Sequence, residues 1–81
     1  MYFVYILYSK KRDSFYVGYT ANINSRITKH NAGATISTKS GIPWELVYSE
    51  QYVTKTEAIK REKVIKKKKS RKYIEYLITM N

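Results

Sequence analysis

The chain has 81 residues, with 16 Lys plus Arg against 6 Asp plus Glu, a formal net charge of +10 and no cysteine. That length supports one small domain with a thin core, and the missing thiols exclude a disulfide framework and a thiolate zinc site. The charge favours a polyanionic partner, nucleic acid ahead of an anionic membrane surface.

Met1 to Tyr8 is apolar but lacks the basic region and small-residue cleavage site of a secretory signal. No apolar run approaches the roughly 20 residues that span a bilayer. A cytoplasmic protein is expected, with Tyr2 to Tyr8 (YFVYILY) as a central strand buried on both faces, since it is dense in aromatic and β-branched types. Ser9 to Ser14 is short and polar, as a hairpin loop is, and Phe15 to Thr20 (FYVGYT) reads as the returning strand. Gly18 inside it marks a place where a side chain or ligand approaches the backbone.

Asn22 caps a helix expected to run to about Asn31, with Gly33 as its stop. Ala34 to Gly41 reads as a loop. After Pro43, Trp44 to Tyr48 (WELVY) is a third strand, with Trp44, Leu46 and Tyr48 expected on one side. Thr54 and Glu57 form a capping box opening a helix to about Lys68, and Ser70 caps a last helix striped with Ile74, Leu77 and Ile78. The order β-β-α-β-α-α, without repeat or linker, makes the class α+β, a three-stranded sheet with an antiparallel hairpin, flanked by helices.

Some polar residues fall on faces that should be apolar. In the first helix, Arg26 and His30 share a face with Ile23 and Ile27. Burying an unpaired charge there costs several kcal/mol. Two readings stay open: Arg26 snorkels to solvent and His30 is a hydrogen-bonded end residue, or the pair serves a site. In the second helix Glu62 lies within the stripe of Ala58, Ile59 and Ile65, while Lys60, Arg61, Lys63 and Lys67 are expected on the outside. Glu62 is either an internal ion-pair partner of Arg26 or a carboxylate kept for a divalent cation. A two-metal site needs several clustered acids, which the chain does not offer. Any metal here would have one protein carboxylate and mostly water or phosphate oxygens as ligands, as hydrated Mg²⁺ tolerates.

Nine tyrosines are present, and most must fill core or interface positions. Tyr5 and Tyr16 stand out only by lying on paired strands, where cross-strand neighbours can bring two hydroxyls together. An ordinary tyrosine has a pKa near 10, so ionising it at neutral pH needs about 4 kcal/mol of differential stabilisation. A guanidinium and a cation would supply it, whereas burial pushes the other way.

These segments resemble the GIY-YIG endonuclease superfamily. Phe3-Val4-Tyr5 and Tyr16-Val17-Gly18 are similar to its first and second motifs, Asn24 to Asn31 to its arginine helix, and Pro43 to Tyr48 with Glu57 to Glu62 to its third strand and glutamate helix. The match covers essentially the whole chain, a single nuclease-like domain over 1–81. It is closest to the small bacterial members related to the N-terminal nuclease domain of the incision subunit of the excision-repair excinuclease. The resemblance implies a three-stranded antiparallel sheet with its catalytic residues on one face. It also implies Tyr5 and Tyr16 as the motif tyrosines, Arg26 as a phosphate clamp, His30 as a base or phosphate contact, and Glu62 as the metal ligand, for Mg²⁺ or Mn²⁺. Phe3 stands where the first motif glycine would be. Many members also carry an asparagine some turns after the glutamate; the positions around Ile74 offer none, and Asn81 is the last residue.

The densest positive run is Lys66, Lys67, Lys68 and Lys69 with Arg71 and Lys72. It reads either as a solvated helix end that suits the dipole or as a phosphate clamp. In the second case about six neutralised phosphates give a log-log salt slope of roughly −5. The loop from Thr35 to Lys39 is expected to add hydroxyl and ammonium contacts to the DNA backbone. No module for reading base edges is present. The expectation is a divalent-metal-dependent endonuclease hydrolysing DNA phosphodiester bonds, in DNA repair or recombination. It would act as a monomer or weak homodimer, directed by a protein partner. The alternative is a noncatalytic nucleic-acid-binding module of the same fold. Peripheral membrane binding fits less well, because the sheet needs the most apolar stretch.

Overall fold

The computed structural model describes residues 1–80; Asn81 lies outside the described residues. Strand β1 (Tyr2–Ser9) pairs antiparallel with β2 (Ser14–Thr20) on one side and β3 (Trp44–Tyr52) on the other, giving the order β2-β1-β3. Helix α1 (Ile23–Asn31) follows β2, and α2 (Lys55–Lys68) and α3 (Arg71–Thr79) follow β3. The α+β expectation and its order hold. The residues expected to start the helices do so by accepting orphan amides. Asn22 accepts from Ser25 N–H, Thr54 and Glu57 form the reciprocal capping box, and Ser70 accepts from Tyr73 N–H.

Because side chains alternate along a strand, β1 serves two layers. Val4 and Ile6, with Val17, pack under Ala58 and Ile65 of α2 and Leu77 of α3. Tyr5 and Leu7 face the other way, with Trp44 and with Ile27 of α1. All four central β1 side chains are at most 2% exposed, each aliphatic one worth about 1.5–3 kcal/mol in burial. Asn31 ties α1 to β3: its side chain accepts from Trp44 N–H at 2.6 Å and donates to the Trp44 carbonyl at 3.0 Å.

Three expectations are corrected. Trp44, Leu46 and Tyr48 do not share one side. Leu7 lies opposite Leu46 but Ile6 lies opposite Tyr48, so Val47 is an extra residue at a bulge, and the side-chain alternation flips there. Trp44 therefore joins the α1 layer and Tyr48 the α2 layer. The loop from Ala34 to Gly41 contains a 3-10 helix, Ile36–Gly41. Arg61 points inward, where it grips Glu50 on β3 through Nε at 2.9 Å and Nη2 at 3.0 Å. Among the described residues, no helix is long and apolar enough to cross a membrane.

Candidate active site

The β1–β2 register sets Tyr5 opposite Gly18 and Leu7 opposite Tyr16, so both tyrosines lie on the α1 face, ring centroids 6.3 Å apart. The group approaching Gly18 is the Tyr5 phenol. A β-carbon on residue 18 would come within 2.6 Å of the Tyr5 oxygen and 2.7 Å of Cζ. Only glycine leaves the phenol room to lie across β2.

From α1, Arg26 and His30 reach the same region. His30 is 1% exposed, and its ring is held at both nitrogens. Nε2 lies 3.1 Å from the Tyr5 hydroxyl, and Nδ1 lies 2.8 Å from Thr38 Oγ1 on the 3-10 helix. The Tyr16 ring packs edge-on against it at 4.9 Å. His30 is thus a buried, hydrogen-bonded residue that also touches both motif tyrosines.

Tyr5, Tyr16, Arg26 and Glu62 line one cleft of about 500 Å³, walled by β1, β2, α1 and α2. His30 sits behind Tyr5. The Glu62 side chain is 15% exposed and pairs with Lys66 at 3.4 Å; among the described residues it makes no ion pair with Arg26. Lys66 also lies over the Tyr16 ring, 5.9 Å from its centroid. No group of three or more His, Cys, Asp or Glu capable of holding a metal occurs among the described residues. The donor set fits a hydrated Mg²⁺ held by the single carboxylate of Glu62, with water and substrate oxygens as the remaining ligands.

Burial pushes the Tyr5 pKa well above the ordinary tyrosine value. The neighbouring Tyr16 and Glu62 add to this, and Arg26 only partly offsets it. Tyr5 is therefore a neutral phenol at pH 7, and the expected lowering by a guanidinium does not win. Burial, reinforced by Arg26, lowers the His30 pKa below its ordinary value. The arrangement is a neutral phenol hydrogen-bonded to a neutral imidazole.

The basic run divides. Lys67, Lys68, Lys69 and Lys72 are exposed, although Lys68 Nζ sits 4.9 Å over the Tyr73 ring. Arg71 is engaged with Asp13 at 2.7 Å and Glu75 at 3.4 Å. It packs against the Phe15 ring at the β1–β2 turn. Lys39 is exposed and lies along Gly33. Thr38 does not present its hydroxyl to a substrate: it is 1% exposed and bound to His30. Lys29 and Lys55 also line the cleft. Nothing in the sequence singles them out, because each is an ordinary solvated lysine in helical periodicity. Glu50 is equally hidden from sequence reasoning. It takes hydrogen bonds from Tyr48, Tyr52 and Arg61 on the α2 face, behind a bulge that periodicity does not reveal.

A three-stranded sheet carrying two tyrosines, an arginine helix and a glutamate helix around one cleft defines a class. Residues 1–74 match the GIY-YIG catalytic domain, and the chain belongs to this nuclease family. It is 52% identical over 66 residues to a UPF0213 protein of Staphylococcus epidermidis, covering 79% of this chain and 78% of that protein. Over the same shares it is 50% identical to a UPF0213 protein of Staphylococcus aureus. The solution NMR structure of a UPF0213 protein from Bacillus halodurans is similar at TM-score 0.62 and 35% identity, over 100% of this chain and 86% of that one.

Proposed function

We propose that this protein is a cytoplasmic, divalent-metal-dependent endonuclease that hydrolyses DNA phosphodiester bonds, in repair or recombination. The observation that carries this reading is the convergence of Tyr5, Tyr16, Arg26 and Glu62 on one cleft, with His30 bonded behind Tyr5. A water oxygen attacks phosphorus and gives its proton to the Tyr5 oxygen as Tyr5 passes its own to His30 Nε2. The bond from phosphorus to the leaving sugar oxygen then breaks, and solvent protonates that oxygen. This relay suits a phenol that is not ionised beforehand, since no free phenolate is required. The Tyr16 hydroxyl orients the water. Arg26 offers a planar fork to the non-bridging oxygens as charge accumulates on them. Lys29 and Lys55 hold neighbouring phosphates. Glu62 is the residue that would hold Mg²⁺ or Mn²⁺, which neutralises charge on the phosphate when bound.

The test is incubation of the protein and its Glu62→Ala variant with branched, nicked and duplex DNA, with and without Mg²⁺. Metal-dependent cuts that vanish in the variant support the enzyme. Equal retardation of DNA by both proteins without any cut overturns it in favour of a binding module.

A further inference from the structure

Thr38 lies outside the cleft, yet it is buried and bonded to the far nitrogen of His30. A threonine hydroxyl carries one proton and two lone pairs. The Thr35 carbonyl stands 3.3 Å from Thr38 Oγ1, in place to accept that proton; with the proton there, the oxygen is an acceptor toward His30. Tyr5 is placed differently: among the described residues its hydroxyl has no hydrogen-bond partner other than His30. One assignment of protons then satisfies every contact along the row in a single direction. Tyr5 donates to Nε2, Nδ1–H donates to Thr38, and Thr38 donates to the Thr35 carbonyl.

We propose that Thr38 is a positioning residue that fixes His30 as the Nδ1–H tautomer, so that Nε2 is the lone-pair nitrogen facing Tyr5. This rests on the nuclease reading only for its consequence, that Nε2 is free to receive the Tyr5 proton. With the opposite tautomer, Nε2–H would donate to the Tyr5 oxygen, and Nε2 would have no lone pair with which to receive the phenol's proton. Thr38 is itself anchored: its carbonyl accepts the Trp44 indole N–H at 2.7 Å, and Trp44 is locked to α1 through Asn31. The third strand thus helps to set which imidazole nitrogen carries the proton, across the 3-10 helix.

The experiment is ¹⁵N NMR of the imidazole in the full-length protein at a pH where His30 is neutral. His30 is the sole histidine, so its two nitrogens need no assignment against others. The expected wild-type spectrum shows a protonated Nδ1 and an unprotonated Nε2. In Thr38→Val the pattern shifts toward protonated Nε2, while Thr38→Ser keeps the wild-type pattern. Cleavage by Thr38→Val should fall roughly 10²-fold in kcat with KM unchanged, the scale of a lost general base, and Thr38→Ser should recover it. A wild-type spectrum with Nε2 protonated overturns the proposal without any variant. So does a Thr38→Val spectrum identical to wild type. Wild-type protein that shows the expected tautomer yet cuts no DNA leaves the tautomer assignment standing and overturns the nuclease reading alone.

Discussion

Arg61 and Glu62 are adjacent on α2 yet serve different structures. Arg61 reaches under the sheet to grip Glu50, while Glu62 faces the cleft. The residue that aims α2 and the carboxylate it aims are consecutive in sequence, so a shift of the Arg61 anchor displaces Glu62 with it.

Arg61→Met should destabilise the protein by about 2 kcal/mol, because the largely buried Glu50 carboxylate loses its charged donor. Arg61→Lys should recover only part of this, since a point charge cannot reproduce the two-nitrogen fork. Urea titrations followed by circular dichroism read both. A midpoint unchanged in Arg61→Met would show that the pair contributes nothing net.

Gly18→Ala places a methyl group 2.6 Å from the Tyr5 oxygen, and a buried ring must move. The expected cost is about 1–3 kcal/mol. Tyr5→Phe in the same chain should not restore stability fully, because Cζ still lies 2.7 Å away. Thermal melts of the single and double variants measure this.

Stability should fall as the solution is acidified from pH 8 toward pH 5. Burial and Arg26 hold the His30 pKa below the ordinary 6.5. Between those two values the unfolded chain binds the extra proton and the folded chain does not. The contribution is complete above 6.5 and is lost as pH drops through the folded value. His30→Gln should flatten this part of the curve. Glu50 has the same sign at lower pH: burial pushes its pKa up, but hydrogen bonds from Arg61, Tyr48 and Tyr52 outweigh this and leave it below the ordinary 4.5. Its contribution is lost as pH falls below that range.

Arg26→Ala should reduce DNA cleavage about 10²–10³-fold in kcat, as loss of a donor aimed at developing charge does. Arg26→Lys should remain well below wild type. Single-turnover assays with saturating protein separate this from weakened binding, and an unchanged rate in Arg26→Ala would remove it from the site.

The salt dependence of DNA binding should distinguish cations that line the cleft from those paired with carboxylates elsewhere. Lys29→Ala and Lys55→Ala should each reduce the steepness of the log-log slope by about 0.9. Arg71→Ala should leave it unchanged, because its guanidinium is engaged by Asp13 and Glu75. Fluorescence anisotropy over a range of salt concentrations gives all three slopes.

Much of the fold is legible in the sequence because its signals are local. Asn22, Thr54 and Ser70 are capping residues that act within one turn, and the β1 run is apolar without interruption. Tyr5, Tyr16, Arg26 and Glu62 are legible as polar or aromatic groups on inward faces. What escapes depends on contacts distant in sequence. The Val47 bulge arises where β3 must cross from the α1 layer to the α2 layer. Arg61 reads as a surface residue because its carboxylate partner, Glu50, lies on another element. Thr38 reads as a loop hydroxyl because nothing near it in sequence shows that the 3-10 helix folds over His30.

The central strand joins the cleft and the hydrophobic core in four consecutive residues, Val4 to Leu7. A genetic screen for inactive variants will therefore return many β1 substitutions that fail for lack of soluble protein, so folded yield must be measured beside every rate. Dead but well-folded protein, of the kind needed to trap substrate in cells, is better sought on the helices. There Arg26 and Glu62 project from scaffolds fastened by Ile27, Ala58 and Ile65.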